Sequence, residues 1–296
     1  QQCPKPSGVN KLVIDRTSGS NQVWFGHFTD AQPVPLSPME AAWYLLAQLY
    51  YGAAGRCATR TVGSVSEANS TAGPLRGCVS YHPLGGTLFE SLLCGLTPPV
   101  ETPAAGTSDL APWERLDLPD PLGPPTVPSW PIGLLVGRAR HAALLVPSPD
   151  HSQVDNAYLT WAWRQPALPA GDPYLMQRIN KEGVTYVPPA DHTRALWRDL
   201  EALLTELPPE GGSKRPPVFD ALVDELPEPV WSRLRVRAYG FEQDRQTRDK
   251  QWFSATTPPV LRYLREREAA AQARIGTLRM AGEKAATVLE QSLTQA

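Results

Sequence analysis

The sequence predicts an α+β protein: an irregular mixed globular domain with small antiparallel sheets and long loops, followed by the start of a C-terminal helical bundle. Three observations predict it. Short apolar runs at 132–136, 142–146 and 158–163 read as strands of a small antiparallel sheet. Proline, at 32 of 296 residues, is about twice as frequent as usual and implies long irregular connections. Residues 260–294 carry a helical apolar stripe of Leu261, Leu264, Ala271, Ile275, Leu278, Val288, Leu289 and Leu293, which a single helix cannot bury alone. The division expected is a large domain over 1–257 and the first bundle helix over 258–296. The sequence opens at Gln1 without an initiator Met and ends inside a helical pattern, so it reads as part of something longer.

The elements follow in order. Lys11–Asp15 reads as extended, and a Ser-Gly-Ser-Asn turn then leads to an apolar tip, Val23-Trp24-Phe25. Ser37-Pro38-Met39-Glu40 is a helix start, because Ser37 can cap, Pro38 suits the first position and Glu40 completes a capping box. The helix predicted from it runs over 40–51 and stops at Gly52. Residues 53–74, rich in Gly, Ser, Thr and Ala, read as a loop. A short strand over 78–82 follows, and Thr87–Glu90 is a second capping box opening a helix over 88–94. Ten prolines between 98 and 131 exclude helix and central strand there, and Trp113 and Trp130 are expected to pin this connection to the body. Amphipathic helices are predicted over 191–207 and 218–226. Residues 233–239 alternate arginine with apolar groups, as a strand with one basic face does.

Composition limits function. Apolar residues make up 42% and charged residues 20%, enough for a sizeable core. A net charge of −2 argues against a freestanding nucleic-acid binder driven by overall charge and leaves room for a local basic patch. No apolar run approaches the length of a membrane span. The four cysteines (Cys3, Cys57, Cys78, Cys94) form no C-x-x-C pair, so a closed zinc site is not expected and a reduced, cytoplasmic protein is the simplest reading.

The common catalytic patterns, among them G-x-S-x-G, the P-loop, G-x-G-x-x-G and H-E-x-x-H, do not occur. Asp220, Asp224 and Glu225 read as a solvated helix face. His82, beside Pro83, reads as a satisfied structural histidine rather than a base, and His27 and His192 have no partner that spacing identifies. Two features remain. One is the basic strand and turn at 231–250, with Arg233, Arg235, Arg237, Arg245, Arg248 and Lys250 interleaved with Trp231, Tyr239, Phe241 and Trp252. Such a face can neutralise backbone phosphates or simply be solvated. The other is the small-residue stretch 63–76, whose backbone could approach a groove closely or be an ordinary loop.

An ordered set of motifs changes this balance: Leu12–Asp15 with Ser18-Gly-Ser-Asn-Gln-Val-Trp-Phe25, Pro35-Leu-Ser-Pro-Met-Glu-Ala-Ala42, Ala72-Gly-Pro-Leu-Arg-Gly77 before Thr87-Leu-Phe-Glu90, Asp172-Pro-Tyr174, Lys181-Glu-Gly183, Ala195-Leu-Trp-Arg-Asp-Leu200, and Arg233-Leu-Arg-Val-Arg-Ala-Tyr-Gly-Phe-Glu-Gln243. Together they resemble the large subunit of Cascade, the type I-E CRISPR surveillance complex (CasA/Cse1 family), over nearly the whole chain. The family pattern starts about a hundred residues earlier and ends in a four-helix bundle.

The resemblance implies a non-catalytic subunit without cofactor or metal. It would recognise the PAM beside the target from the minor groove, open the duplex and help recruit the helicase–nuclease, while the guide RNA reads the rest by pairing. Its implied partners are the guide's 5′ handle, target double-stranded DNA, the other Cascade subunits and that helicase–nuclease. By position, Phe25, with Trp24 beside it, would dock on the handle and a neighbouring subunit. Glu67, Ala68, Asn69 and Ser70 fall on the family's glycine loop against the minor groove, although no glycine stands there in this chain. Arg164 and Gln165 fall near its basic finger. Glu242 and Gln243 match the wedge that splits the duplex, and Arg233, Arg235, Arg237, Arg245, Arg248 and Lys250 would hold DNA backbone. Residues 147–157, where some relatives carry a metal-binding cysteine cluster, have no cysteine. A scaffold whose loops dock only on protein is the alternative function, and a hydrolase with dispersed residues the third.

Overall fold

A computed structural model describes residues 3–16, 26–97, 108–114, 120–123, 129, 131–133, 140–162, 172–205, 212–222, 226–244, 248–264 and 269–295. Its helices are α1 (Val9–Leu12), α2 (Pro38–Tyr51), α3 (Leu88–Cys94), α4 (Leu200–Leu204), α5 (Glu228–Trp231) and α6 (Ala269–Gln295). Its strands are β1 (Gly55–Val62), β2 (Val65–Ser70), β3 (Val79–Leu84), β4 (His141–Pro147), β5 (Val154–Trp161), β6 (Gln177–Ile179), β7 (Thr185–Tyr186), β8 (Ser213–Lys214), β9 (Arg235–Asp244) and β10 (Arg248–Thr256). The expected α+β architecture is therefore observed, and the pairings β1–β2, β3–β9, β4–β5, β6–β7 and β6–β8 are antiparallel. Among the described residues no helix is long and apolar enough to cross a membrane.

The chain forms two compact units. The first comprises Gln1–Arg76, Pro99–Ala170 and Asp244–Arg248. Its core gathers Val9, Leu12, Val13, Leu36, Ala41, Val154, Ala157 and Leu159. The paired strands β4 and β5 confirm two of the three strands expected here, in the register His141↔Trp161 to Pro147↔Val154. The start of α2 is as read: the Glu40 N–H donates to Ser37 Oγ at 3.3 Å, and the Ser37 N–H donates to the Glu40 carboxylate at 3.0 Å.

Four expectations in this unit are corrected. Lys11–Asp15 is not extended; residues 9–12 form one helical turn, because Val9, Leu12 and Val13 recur at helical spacing and are all buried. Residues 53–74 are mostly not a loop but the hairpin β1–β2, closed by the two-residue turn Gly63-Ser64 between the paired Val62 and Val65. Gly63 adopts φ +57°, the left-handed conformation that such turns require and that glycine takes without strain. Ile132 and Gly133 are helical rather than the start of a strand. Trp113 is 60% exposed rather than buried against the body. Among the described residues of this stretch, the two carboxylate oxygens of Asp109 accept the N–H groups of Ile132 and Gly133, each at 2.9 Å. Trp130 lies outside the described residues.

The second unit comprises Gly77–Pro98, Gly171–Gln243 and Asp249–Ala296. Its main sheet has the order β10-β9-β3, and β7-β6-β8 form a smaller one. The core packs Phe219, Trp231, Leu234, Val236, Leu203 and Leu261 at zero exposure. Two helix expectations shorten here. Residues 191–195 are a turn, followed by a 3-10 turn at Leu196–Asp199 and the brief α4. Residues 217–222 are 3-10, and residues 223–225, with Asp224 and Glu225, lie outside the described residues. The long C-terminal helix is present as α6, Leu261–Leu264 form a 3-10 turn, and residues 265–268 lie outside the described residues. Arg279 pairs with Glu201 of α4 at 2.5 Å and Glu283 with Arg198 of the preceding 3-10 turn at 2.7 Å, fixing α6 beside both.

Candidate nucleic-acid interface

Strand pleating sorts the residues of β9. Val236, Ala238 and Gly240 face inward and are buried; Arg235 is exposed, and Arg237, Tyr239 and Phe241 are half-buried on the other face. Close packing with β3 depends on Gly240: a Cβ there would lie 2.6 Å from the Cys78 carbonyl oxygen. The outer face carries an aromatic row. Trp252 of β10 packs against Phe241 (ring centroids 4.5 Å) and Tyr239 (5.7 Å), and His82 lies 5.9 Å from Tyr239 and 4.8 Å from Tyr174.

The arginines differ in freedom. Arg237 stacks over Tyr239 at 4.9 Å and donates to the hydroxyls of Thr256 and Ser254. Arg233 pairs with Glu90, whose other oxygen accepts the Gly86 N–H at 2.7 Å. That second use of Glu90 replaces the return bond of the expected capping box, of which the Thr87 half is present at 3.1 Å. Arg235 stands exposed on the strand.

Near the free end of the hairpin, Glu242 and Gln243 occupy successive positions and so emerge on opposite faces. The Glu242 carboxylate is gripped. It accepts the His192 backbone N–H at 2.8 Å, meets His192 Nδ1 through the same oxygen, and receives Lys250 Nζ on the other at 3.3 Å. These donors, the His192 pair first, pull its pKa down to about 2. The turn presenting His192 is itself tied: Asp191 accepts from the Thr193 N–H at 2.9 Å and from its hydroxyl at 2.6 Å. Just before it, the Ala190 N–H donates to the Gly77 carbonyl at 3.0 Å. Gly77 leaves room for Gln243, since a Cβ there would come within 3.2 Å of Gln243 Oε1.

Among the described residues, Asp191, His192 and Glu242 form the group compact enough to hold a metal ion, with ligand atoms within 4.8 Å of one another. Both Glu242 oxygens already meet donors, so the arrangement works as a hydrogen-bonded latch. Sequence reasoning missed His192 and Asp191, because the partners are 50 residues apart and no local spacing marks them. His82 is the structural histidine expected: burial lowers its pKa to about 4 and its Nε2 meets Ser80 Oγ at 2.9 Å.

Glu67, Ala68, Asn69 and Ser70 lie on β2 rather than in a loop. The hairpin is fastened to β5 from below. Trp161 Nε1–H donates to the Glu67 carbonyl at 3.1 Å, and the Thr160 hydroxyl donates to the Ala58 carbonyl at 2.6 Å. Asn69, opposite Arg56, and Ser66 are the exposed positions of β2. Trp24, Phe25, Arg164, Gln165 and Arg245 lie outside the described residues, and Arg248 opens β10.

Comparison with known proteins gives these elements a family. The model of CRISPR-associated protein Cse1 matches residues 1–296. CRISPR-associated protein CasA/Cse1 of Thermus thermophilus is 30% identical over 216 residues, which cover 70% of this chain and 39% of that protein. The solved structure of a CRISPR RNA-guided surveillance complex contains a chain 48% identical, aligned over 100% of this chain and 59% of that one with a TM-score of 0.81. Thermobifida fusca Cse1, 19% identical, shares the fold over 96% of this chain and 57% of its own with a TM-score of 0.68. The chain thus spans well under two thirds of the length of these relatives. With the motif order, the α+β fold and a family model that covers every residue in agreement, the chain belongs to the Cse1 (CasA) family of CRISPR-associated proteins.

Proposed function

We propose that this chain acts as the non-catalytic, PAM-recognising part of an RNA-guided CRISPR surveillance complex. In this reading it feels target duplex from the minor groove, wedges it open to start the R-loop and helps recruit the helicase–nuclease. The observation that carries the reading is the β9–β10 hairpin, where Glu242 and Gln243 stand next to the tip with Lys250 beside them and exposed Arg235 on the same strand. A stiff, two-stranded element with an aromatic brace suits insertion beside a base step, and unstacking that step costs on the order of a few kcal/mol, repaid by contacts to the bent duplex. Asn69, exposed on β2, supplies a donor and an acceptor for base edges. Arg164 and Gln165 are assigned to the basic finger, and Arg233, Arg237, Arg245 and Arg248 to backbone phosphates. Phe25 and Trp24 are assigned to the guide's 5′ handle and a neighbouring subunit. Helix α6 is read as the first of a C-terminal bundle beginning at residue 258, consistent with exposed Leu278, Leu289 and Leu293.

The test is PAM-dependent binding by the assembled complex. Asn69→Ala with Gln243→Ala should abolish the preference for PAM-bearing duplex; an unchanged preference refutes these assignments. Arg245→Ala should weaken binding to every duplex and lower the salt slope by about one. Phe25→Ala should prevent incorporation of the subunit rather than change PAM choice.

A second reading, a scaffold that docks only on protein, is favoured by one feature. Helix α3 exposes Leu88 and Phe89 at 70% and Leu92 at 63%, an apolar face suited to a protein partner. Absence of salt-dependent DNA affinity in the complex would favour it.

A further inference from the structure

We infer that His192 is a positioning residue for the duplex-opening wedge, holding the Glu242 carboxylate so that the end of β9 meets DNA as a rigid element; this rests on the wedge reading above. The contacts form a chain with little slack. Asp191 closes its own turn on Thr193, at 2.9 Å to the N–H and 2.6 Å to the hydroxyl, and thereby aims the His192 N–H outward. That N–H and the imidazole both meet one oxygen of Glu242, while Lys250 from the neighbouring strand meets the other. The segment before the turn is stitched to the start of β3 by the Ala190–Gly77 bond and by the Cys78↔Pro189 bridge. The end of β9 is therefore tied on one side to its hairpin partner and on the other to a turn anchored in the sheet.

The energetics support a role for this arrangement. Glu242 carries a full negative charge in an element assigned to approach phosphates, a placement that repels DNA unless the charge is compensated. Lys250 and the two His192 donors compensate it and cover it, leaving its side chain 14% exposed. An unlatched Glu242 would swing free, and Gln243, the adjacent residue, would lose its fixed direction. Wedging needs stiffness: each loose rotamer must be ordered when the base step opens, which raises the barrier.

The experiment uses the assembled complex and two targets, a closed PAM-bearing duplex with a fluorescent adenine analogue at the first step and the same target with that step pre-melted. His192→Ala should slow opening of the closed duplex about tenfold, the loss of one charge-assisted hydrogen bond, and leave binding of the pre-melted target unchanged. His192→Asn, whose amide can present a donor near the position of Nδ1, should restore most of the rate. A misfolded subunit would lose both targets together, so the split isolates positioning. Wild-type opening by His192→Ala, with slowed opening by Glu242→Ala and Gln243→Ala, overturns the role of His192 and leaves the wedge standing. Unchanged opening in all three variants overturns the wedge reading itself.

Discussion

Arg60 donates from Nη1 to the carbonyl oxygen of Trp161 at 2.7 Å while its guanidinium lies over the same residue's indole at 5.1 Å. One buried cation thus uses both the backbone and the ring of a residue 101 positions away, and it fastens β1 to β5. The hairpin that carries Asn69 has few large apolar groups of its own, so this clamp replaces the core it lacks. Arg60→Ala should destabilise the first unit by about 2–3 kcal/mol, the range for losing a hydrogen bond from a charged group along with its packing. Thermal melting and hydrogen exchange at the β1 and β2 amides check it. Arg60→Lys should recover only part, because an ammonium cannot lie flat on the indole while reaching the carbonyl.

His82 makes stability depend on pH. Its pKa in the fold is about 4, lowered by burial from an ordinary 6.5. The folded state therefore favours the neutral ring. The sign follows: the stabilisation is complete above pH 6.5 and is lost as pH falls from there toward 4, where the unfolded chain binds a proton that the folded chain refuses. The loss over that window is on the order of 3 kcal/mol. Urea unfolding at pH 7 and pH 4.5 should show the drop, and His82→Gln should remove this part of it.

The Glu242 latch can be tested without DNA. Its carboxylate, lowered from 4.5 to about 2 by the His192 and Lys250 donors, contributes stability that is present above pH 4.5 and disappears as pH falls toward 2. Carbon NMR of the side-chain carboxyl should show titration near 2 in the wild type. In His192→Ala the midpoint should move up toward 4.5; an unmoved midpoint would mean that the imidazole does not act on the carboxylate.

How much of this could be read from residues alone depended on the range of the interaction. Ser37 with Glu40 and Thr87 with Glu90 are local hydrogen-bond pairs, so both helix starts were legible. The alternation of Arg235, Val236, Arg237 and Ala238 marked a strand with one buried face, and the exposures agree. The β1–β2 hairpin was not legible from its small residues, because its inward face is filled by Arg60 and fastened by Trp161 rather than built from large apolar side chains. Gly63-Ser64 between two valines was the available signal. His192 and Glu242 meet only because 189–190 and β9 both pair with the β3 region, a tertiary consequence with no counterpart in spacing. The helix expected over 191–207 failed for a local reason instead: Asp191 spends its carboxylate closing a turn on Thr193, so the 3-10 turn begins only after Ala195 and α4 only at Leu200.

The packing of α6 gives a last prediction, one that separates helix propensity from tertiary fit. Gly276 sits in the interior of this helix, where glycine costs about 1 kcal/mol relative to alanine. A Cβ at 276 would lie 2.5 Å from Glu201 Oε1, and the same carboxylate holds Arg279 through its other oxygen. In the wild type, Gly276→Ala should change stability little: the gain in helix propensity is offset by displacement of Glu201 from Arg279. Glu201→Ala alone should destabilise, because Arg279, with its side chain 24% exposed, loses its carboxylate. In the Glu201→Ala background the added methyl has space, so Gly276→Ala should now stabilise by about 1 kcal/mol. A double-mutant cycle by urea unfolding measures the difference as a coupling energy. Additive effects would show that the Glu201 carboxylate does not constrain position 276, and that another requirement places glycine there.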